Sequence, residues 1–160
     1  MHPNAEHVQS ALLACGVGCQ VVELPDSTRS AADAAEAIGC TLGQIVKSLL
    51  FLAGADAVLV LTSGTNRVSL EKLAALLGGP LARADADTVK RLTGFAIGGV
   101  APIGAAQPLR VLIDRDLDRH QILWAAAGTP HAVFRCTPQE LVHLSGGAWA
   151  DVADSQATEK

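Results

Sequence analysis

Two apolar segments constrain this chain more than anything else in it: Ile45-Val46-Lys47-Ser48-Leu49-Leu50-Phe51-Leu52 and Ala57-Val58-Leu59-Val60-Leu61-Thr62, joined by Ala53-Gly54-Ala55-Asp56. Two strand-like runs across a short glycine-containing connection read as a hairpin. Neither run alternates apolar with polar residues, so both faces of the hairpin must be covered by other elements. The rest of the sequence has to supply those layers.

Ahead of the hairpin, Ala5, Val8, Ala11, Leu12 and Cys15 recur at helical spacing and Gly16 follows as a stop. Cys19–Leu24 reads as a short strand cut by Pro25, followed by the polar loop Asp26-Ser27-Thr28. Ser30 with Asp33 starts a helix over Ala31–Ile38 closed by Gly39, and Thr41 to Gln44 forms a single capped turn. Beyond the hairpin come the polar loop Ser63-Gly64-Thr65-Asn66-Arg67 and a helix capped by Ser69. A short strand over Leu81–Ala84 follows, then a brief helix capped by Asp85 or Asp87 and stopped by Gly94. Leu109–Asp114 reads as a strand, and Gln121–Ala127 pairs with His131–Arg135 across Gly128-Thr129-Pro130. Thr137-Pro138-Gln139-Glu140 opens a last helix that Gly146-Gly147 stops. Hairpins mixed with single helices predict an α+β fold with a mixed, largely antiparallel sheet. We expect one domain over residues 1–152 and a frayed tail over 153–160.

Composition narrows the function classes. With 160 residues, 49% of them hydrophobic, the chain suits a single core. A net charge of −4 and a pI near 5.6 argue against a broad phosphate-binding surface and leave room only for a local basic patch. Cys15, Cys19, Cys40 and Cys136 include no C-x-x-C pair, and the five histidines show no ligand spacing, so neither a metal nor a cofactor is expected. The absence of a leader pattern and of a long apolar run predicts a soluble cytoplasmic protein without a membrane partner. Free thiols fit that compartment.

The glycine-rich stretch Thr93-Gly94-Phe95-Ala96-Ile97-Gly98-Gly99-Val100-Ala101-Pro102-Ile103-Gly104 is the second conspicuous feature. It suits either a ligand wall, where backbone N–H groups lie unshielded, or a bent strand at a barrel corner. Lys47 interrupts an apolar face shared with Ile45 and Leu49, so it either snorkels from an edge or serves a pocket. Arg67, beside Asn66, can clamp a phosphate or carboxylate or be simply solvated. Asp114 can accept from a ligand or begin a turn, and His131 is a proton shuttle or a structural histidine beside Pro130. Cys136, ahead of a helix, is a reactive thiol if exposed and a small core residue if buried. A redox role for Cys15 and Cys19 is a minor third idea. No nucleophile elbow, phosphate loop or dinucleotide fingerprint occurs.

In this order, the strand Gln44–Leu49 with Lys47, the loop Ser63–Val68, the Gly-x-x-x-Pro loop within Thr93–Gly104 and the turn at Gly128 resemble the YbaK/prolyl-tRNA synthetase-associated editing domain family, over roughly residues 5 to 150. The resemblance implies a mixed sheet curling towards a barrel with surrounding helices. It also implies a free-standing deacylase that hydrolyses a mischarged amino acid of cysteine, alanine or serine/threonine type from tRNA, above all tRNA for proline. Lys47, Gly98 and Gly99 would be catalytic: the lysine fixing the acceptor end, the glycine N–H groups anchoring the carbonyl or terminal ribose. Thr28, Ser30, Asn66, Arg67, Ile97, Pro102, Asp114, Gly128, Thr129 and His131 would contact substrate. Partners would be the acceptor end of mischarged tRNA, prolyl-tRNA synthetase and a second copy of the chain. The alternative is a catalytically silent module that uses the same cleft for a nucleotide, an aminoacyl adenylate or a protein.

Overall fold

The computed structural model of the chain describes residues 1–25 and 30–154. In order the elements are α1 (Pro3–Ala14), β1 (Val21–Glu23), α2 (Ala31–Ile38), a 3-10 turn (Leu42–Gln44), β2 (Ile45–Ala53), β3 (Asp56–Ser63), α3 (Leu70–Leu77), β4 (Ala82–Arg83), α4 (Ala86–Thr93), β5 (Arg110–Asp114), a second 3-10 turn (Arg115–Arg119), β6 (Leu123–Ala126), β7 (Ala132–Cys136), α5 (Pro138–Ser145) and β8 (Ala148–Ala150). The helices start where their capping residues dictate. Ser30 Oγ accepts from the Asp33 N–H at 3.0 Å and Asp85 Oδ1 from the Thr88 N–H at 2.8 Å. At α5, Thr137 and Glu140 satisfy each other's backbone N–H groups. Gly94, at φ 83°, only terminates α4.

The strands form one mixed sheet in the order β1-β7-β6-β2-β3-β5-β8, with β4 as a side branch on β2. The β2–β3 hairpin lies at its centre, in register from Val46↔Ser63 to Ala53↔Asp56. β6 joins β2, and β5 joins β3, in parallel; β1–β7, β6–β7 and β2–β4 are antiparallel. The end strands β1 and β8 do not pair with each other, so the sheet is not closed into a barrel.

Helices cover both faces, as the apolar hairpin demands. On one face Ala5, Val8 and Leu12 of α1, Val89 of α4 and Leu141 and Leu144 of α5 pack with Val46, Leu50, Leu59 and Leu61 into the main core. On the other, Leu73 of α3 packs on Phe51, Val58 and Val60, while Ala34 and Ala35 of α2 pack on Ile45. Burial of these leucine- and valine-sized side chains, about 1.5–3 kcal/mol each, is the main force holding the layers together.

Two departures from the sequence reading lie near the C-terminus. β8 is a short strand that follows Gly146-Gly147 and pairs in parallel with β5. The chain expected to fray from Ala153 is held at its first two residues: Ala153 is buried and bridges Val68, and the Asp154 N–H donates to the Arg67 carbonyl at 2.8 Å. Both arise from partners distant in sequence, which override the tendency of a terminus to loosen.

Candidate active site

The sheet is incomplete beside Lys47. Along one edge β2 is paired with β3 throughout; along the other, β6 reaches only Ile45 and Val46, and β4 only Phe51 and Leu52. The strand segment Lys47-Ser48-Leu49 therefore borders a gap. A cavity of about 350 Å³ occupies it, within the size range of small-ligand sites. Ala31, Ala34 and Ile38 of α2 wall one side with Trp124; Val89, Gly98, Val100 and Ala125 wall the other. Ser30, Lys47, Ser48 and Arg83 bring polar side chains to a mainly apolar lining.

Lys47 stands where no helix covers the sheet. On its face Ile45 is packed under α2 and Leu49 lies against the cluster under α3, so the lysine falls between the two footprints. It is half-buried, and its Nζ donates to the Asn66 carbonyl at 2.6 Å. Burial, helped by the positive charges of Arg67 and Arg83, holds its pKa below the ordinary lysine value of 10.5; Asp114 opposes the shift.

The carbonyl that receives Lys47 is held in place from beneath. Asp114 is fully buried, and its Oδ2 accepts from Thr62 Oγ1 at 2.9 Å, the Ser63 N–H at 3.1 Å and Asn66 Nδ2 at 2.8 Å. Its Oδ1 accepts from the Asp116 N–H at 2.9 Å, and Asn66 Nδ2 also donates to Asp116 Oδ2 at 2.8 Å. A carboxylate with this many donors is a brace for the 63–67 loop. Asn66 and Asp114 thus reach the cavity only indirectly, through Lys47.

The glycine-rich loop divides its work between its two central residues. Gly98, at φ +92°, lines the cavity, and Ile97 beside it is an exposed apolar residue on the rim. Gly99 does something else: its N–H donates to the Ala96 carbonyl at 2.9 Å, and a Cβ there would stand 2.8 Å from the Thr129 backbone. The expectation that both N–H groups face a ligand is corrected for Gly99, whose N–H is taken within the loop and whose missing side chain lets the 97–102 and 127–131 segments touch. α1 holds the second of these segments through Asn4 Nδ2 donating to the Gly128 carbonyl at 3.3 Å, and the end of the glycine-rich stretch through His7 Nε2 with the Gly104 carbonyl at 2.8 Å.

The remaining expected residues divide between wall and scaffold. Ser30 lines the cavity at the start of α2. Gly128 packs on Asn4, Thr129 Oγ1 accepts from the His131 N–H at 3.0 Å, and none of Pro102, Gly128, Thr129 or His131 lines the cavity. His131 is exposed, as is Arg67, which acts on the site by its charge. Thr28 lies outside the described residues. Cys136 is buried, and burial pushes its thiol pKa well up; Cys19 is also buried and is raised to about 11 by burial and Glu140, so neither supplies a thiolate. Sequence reasoning missed Ser48, Arg83 and Trp124. Ser48 alone left a trace, as a hydroxyl in an apolar strand; Arg83 and Trp124 are brought in by sheet pairing that no local pattern announces.

Comparison with known proteins agrees with this architecture. A model of the aminoacyl-tRNA editing domain matches residues 25–144. The chain is 34% identical to YwhH, an uncharacterized protein of Bacillus subtilis, over 82% of this chain and 85% of that one. It is 33% identical to part of the proline–tRNA ligase of Xanthomonas campestris pv. campestris, covering 71% of this chain but 21% of the ligase. A crystal structure of a protein described as a proposed trans-editing enzyme for prolyl tRNA synthetase superposes with a TM-score of 0.93 at 50% identity, over 97% of this chain and 99% of that one. Among the described residues no helix is long and apolar enough to cross a membrane. By the span of that match and its agreement with the fold, the chain belongs to the aminoacyl-tRNA editing domain family, and within it to the branch related to prolyl-tRNA synthetase editing.

Proposed function

We propose that the chain is a trans-editing deacylase, which hydrolyses the ester between a small, wrongly attached amino acid and the terminal ribose of tRNA for proline. The observation that carries this reading is the cavity at the open edge of β2, where a half-buried lysine and the Gly98 loop meet in a small apolar chamber. Its volume of about 350 Å³ is enough for a small amino acid with part of a ribose. The apolar walls discriminate by shape alone, worth about 1–3 kcal/mol per methylene, which is why selection of small amino acids needs a second site at all.

The chemistry asked of the protein is modest. Water adds to the activated ester carbonyl, the acyl C–O bond breaks, and the ribose oxygen leaves with a proton, giving free amino acid and uncharged tRNA. Lys47 supplies a positive charge near the developing oxyanion or the terminal phosphate, and Arg83 and Arg67 extend that charge towards the mouth. A local basic cluster of this kind grips an acceptor end without the wide basic face that an acidic chain lacks. No buried nucleophile is needed, because a ribose hydroxyl or water completes the reaction.

The direct test is hydrolysis of tRNA for proline charged with cysteine, alanine, serine or threonine. We expect release of at least one of these and retention of proline. Turnover of none would leave the cleft as a binding module for a nucleotide or aminoacyl adenylate.

A further inference from the structure

Among the described residues, the buried Ser48 hydroxyl has no hydrogen-bond partner, and neither β6 nor β4 reaches the main-chain N–H and C=O of Ser48. The direction of its main chain follows from strand alternation. The Ile45 carbonyl points to the β3 side, where it accepts from Gly64, and the Leu50 carbonyl points to the opposite side, where it accepts from Ala84. Odd residues of β2 therefore direct N–H and C=O towards β3, and even residues towards the other edge. At Val46 that edge is filled by β6 and at Leu50 it is closed by Ala84; Ser48 lies between, facing the cavity. Buried polar groups are paired in nearly all native structures, and the Ser48 hydroxyl is an exception that sits beside main-chain groups no strand covers, so the three together suit an occupant that bonds to them in place of water.

We propose that Ser48 is the anchor for the aminoacyl group, which completes the sheet as a single residue of strand between β6 and β4. This rests on the deacylase reading and names the contact that reading lacks. An aminoacyl ester carries ammonium, Cα and carbonyl in the order of a peptide unit. Its ammonium donates to the Ser48 carbonyl and, once the side chain turns about χ1 to the cavity, to Oγ, and its ester carbonyl accepts from the Ser48 N–H, as a directly paired residue does in an antiparallel ladder. The substrate side chain then falls between Val100, Val89 and Ala125, and the scissile carbonyl is held by main chain that no substitution removes. Ser48 thus recognises what every aminoacyl group shares, and the apolar walls sort by size.

The test uses the intact protein and 3′-alanylamino-3′-deoxyadenosine, in which an amide replaces the ester and cannot be turned over readily. In ¹⁵N-resolved NMR the Ser48 amide proton should move downfield on binding. It should stay in place with 3′-amino-3′-deoxyadenosine, which lacks the alanyl group. Ser48→Ala should weaken binding of the alanyl compound by ~5–10-fold, the net value of one ordinary hydrogen bond, because the ammonium keeps the Ser48 carbonyl, and Ser48→Thr should restore it. The N-acetylated compound should bind wild type ~10-fold more weakly, with a smaller gap in Ser48→Ala. A bound complex with an unmoved Ser48 amide overturns the proposal while leaving deacylation intact, as does equal binding of the N-acetylated compound. No binding at millimolar concentration overturns it too. Binding with the expected shift by a protein that hydrolyses no charged tRNA supports the anchor and removes the deacylase reading.

Discussion

The two edges of β2 differ in completeness, and the difference separates stability from function. Against β3 the strand is paired from Val46 to Ala53, and most of its side chains there go into the core on both faces. On the other edge β6 and β4 cover only the ends, and the uncovered middle faces a cavity with Lys47 and Ser48 in its wall. An exposed strand edge is normally a hazard that proteins cover or charge. Here the gap is flanked by strands, walled by α2 and the Gly98 loop, and small enough to admit a ligand without admitting another strand. The proposed site lies where the sheet stops short, beside an edge that is fully paired.

Substitutions on the open edge should change activity more than stability, and those in the supporting loops the reverse. The largest effect is expected for Lys47→Met, which should lower deacylation by ~10²–10³, the value of one oxyanion donor, in single-turnover assays. Its melting temperature should hold or rise, because Lys47 is destabilised by burial and by two arginines while charged. A large drop in melting temperature would make Lys47 a structural residue and break the contrast.

The same shift gives a pH test. The folded pKa lies below the ordinary 10.5, so deacylation should fall as pH rises through that lowered value. The unfolded chain binds more protons between the two pKa values, so the contribution of Lys47 to stability rises with pH across that window. Opposite trends in rate and in urea midpoint would separate the ammonium's two effects.

Next in size, Asp114→Ala should cost about 2–4 kcal/mol, since it strands Thr62, Ser63 and Asn66 donors in the interior. Chemical denaturation should register the loss, with activity falling because the Asn66 carbonyl is released. Gly99→Ala, which forces a Cβ against the Thr129 backbone, should cost about 1–3 kcal/mol and lower the melting temperature by several degrees. If its stability is unchanged, the two loops are looser than their contact implies. The smallest effect is expected for Arg83→Ala: a rise in KM of ~2–5-fold at low salt that vanishes at high salt, with kcat retained, as for an exposed charge that steers a phosphate.

The sequence by itself determined the local structure and the chemistry available. Capping residues fixed the helix starts at Ser30, Ser69, Asp85 and Thr137, glycines fixed their ends, and the apolar hairpin required a covered central sheet. These rest on interactions within a few residues and are written in local order. Lys47 and the Gly-x-x-x-Pro loop stood out for the same reason, as residues at odds with their surroundings. Only tertiary structure decided what those residues do. Gly98 and Gly99 are adjacent and alike in composition, yet one lines a cavity and the other packs on Thr129, because their neighbours come from elsewhere in the chain. Asp114 became a brace and Ser48 a cavity residue through the pairing of β5 with β3 and the shortness of β6 and β4. Strand order and pairing length are settled by packing between distant segments, a balance of burial over the whole core that no stretch of local sequence records.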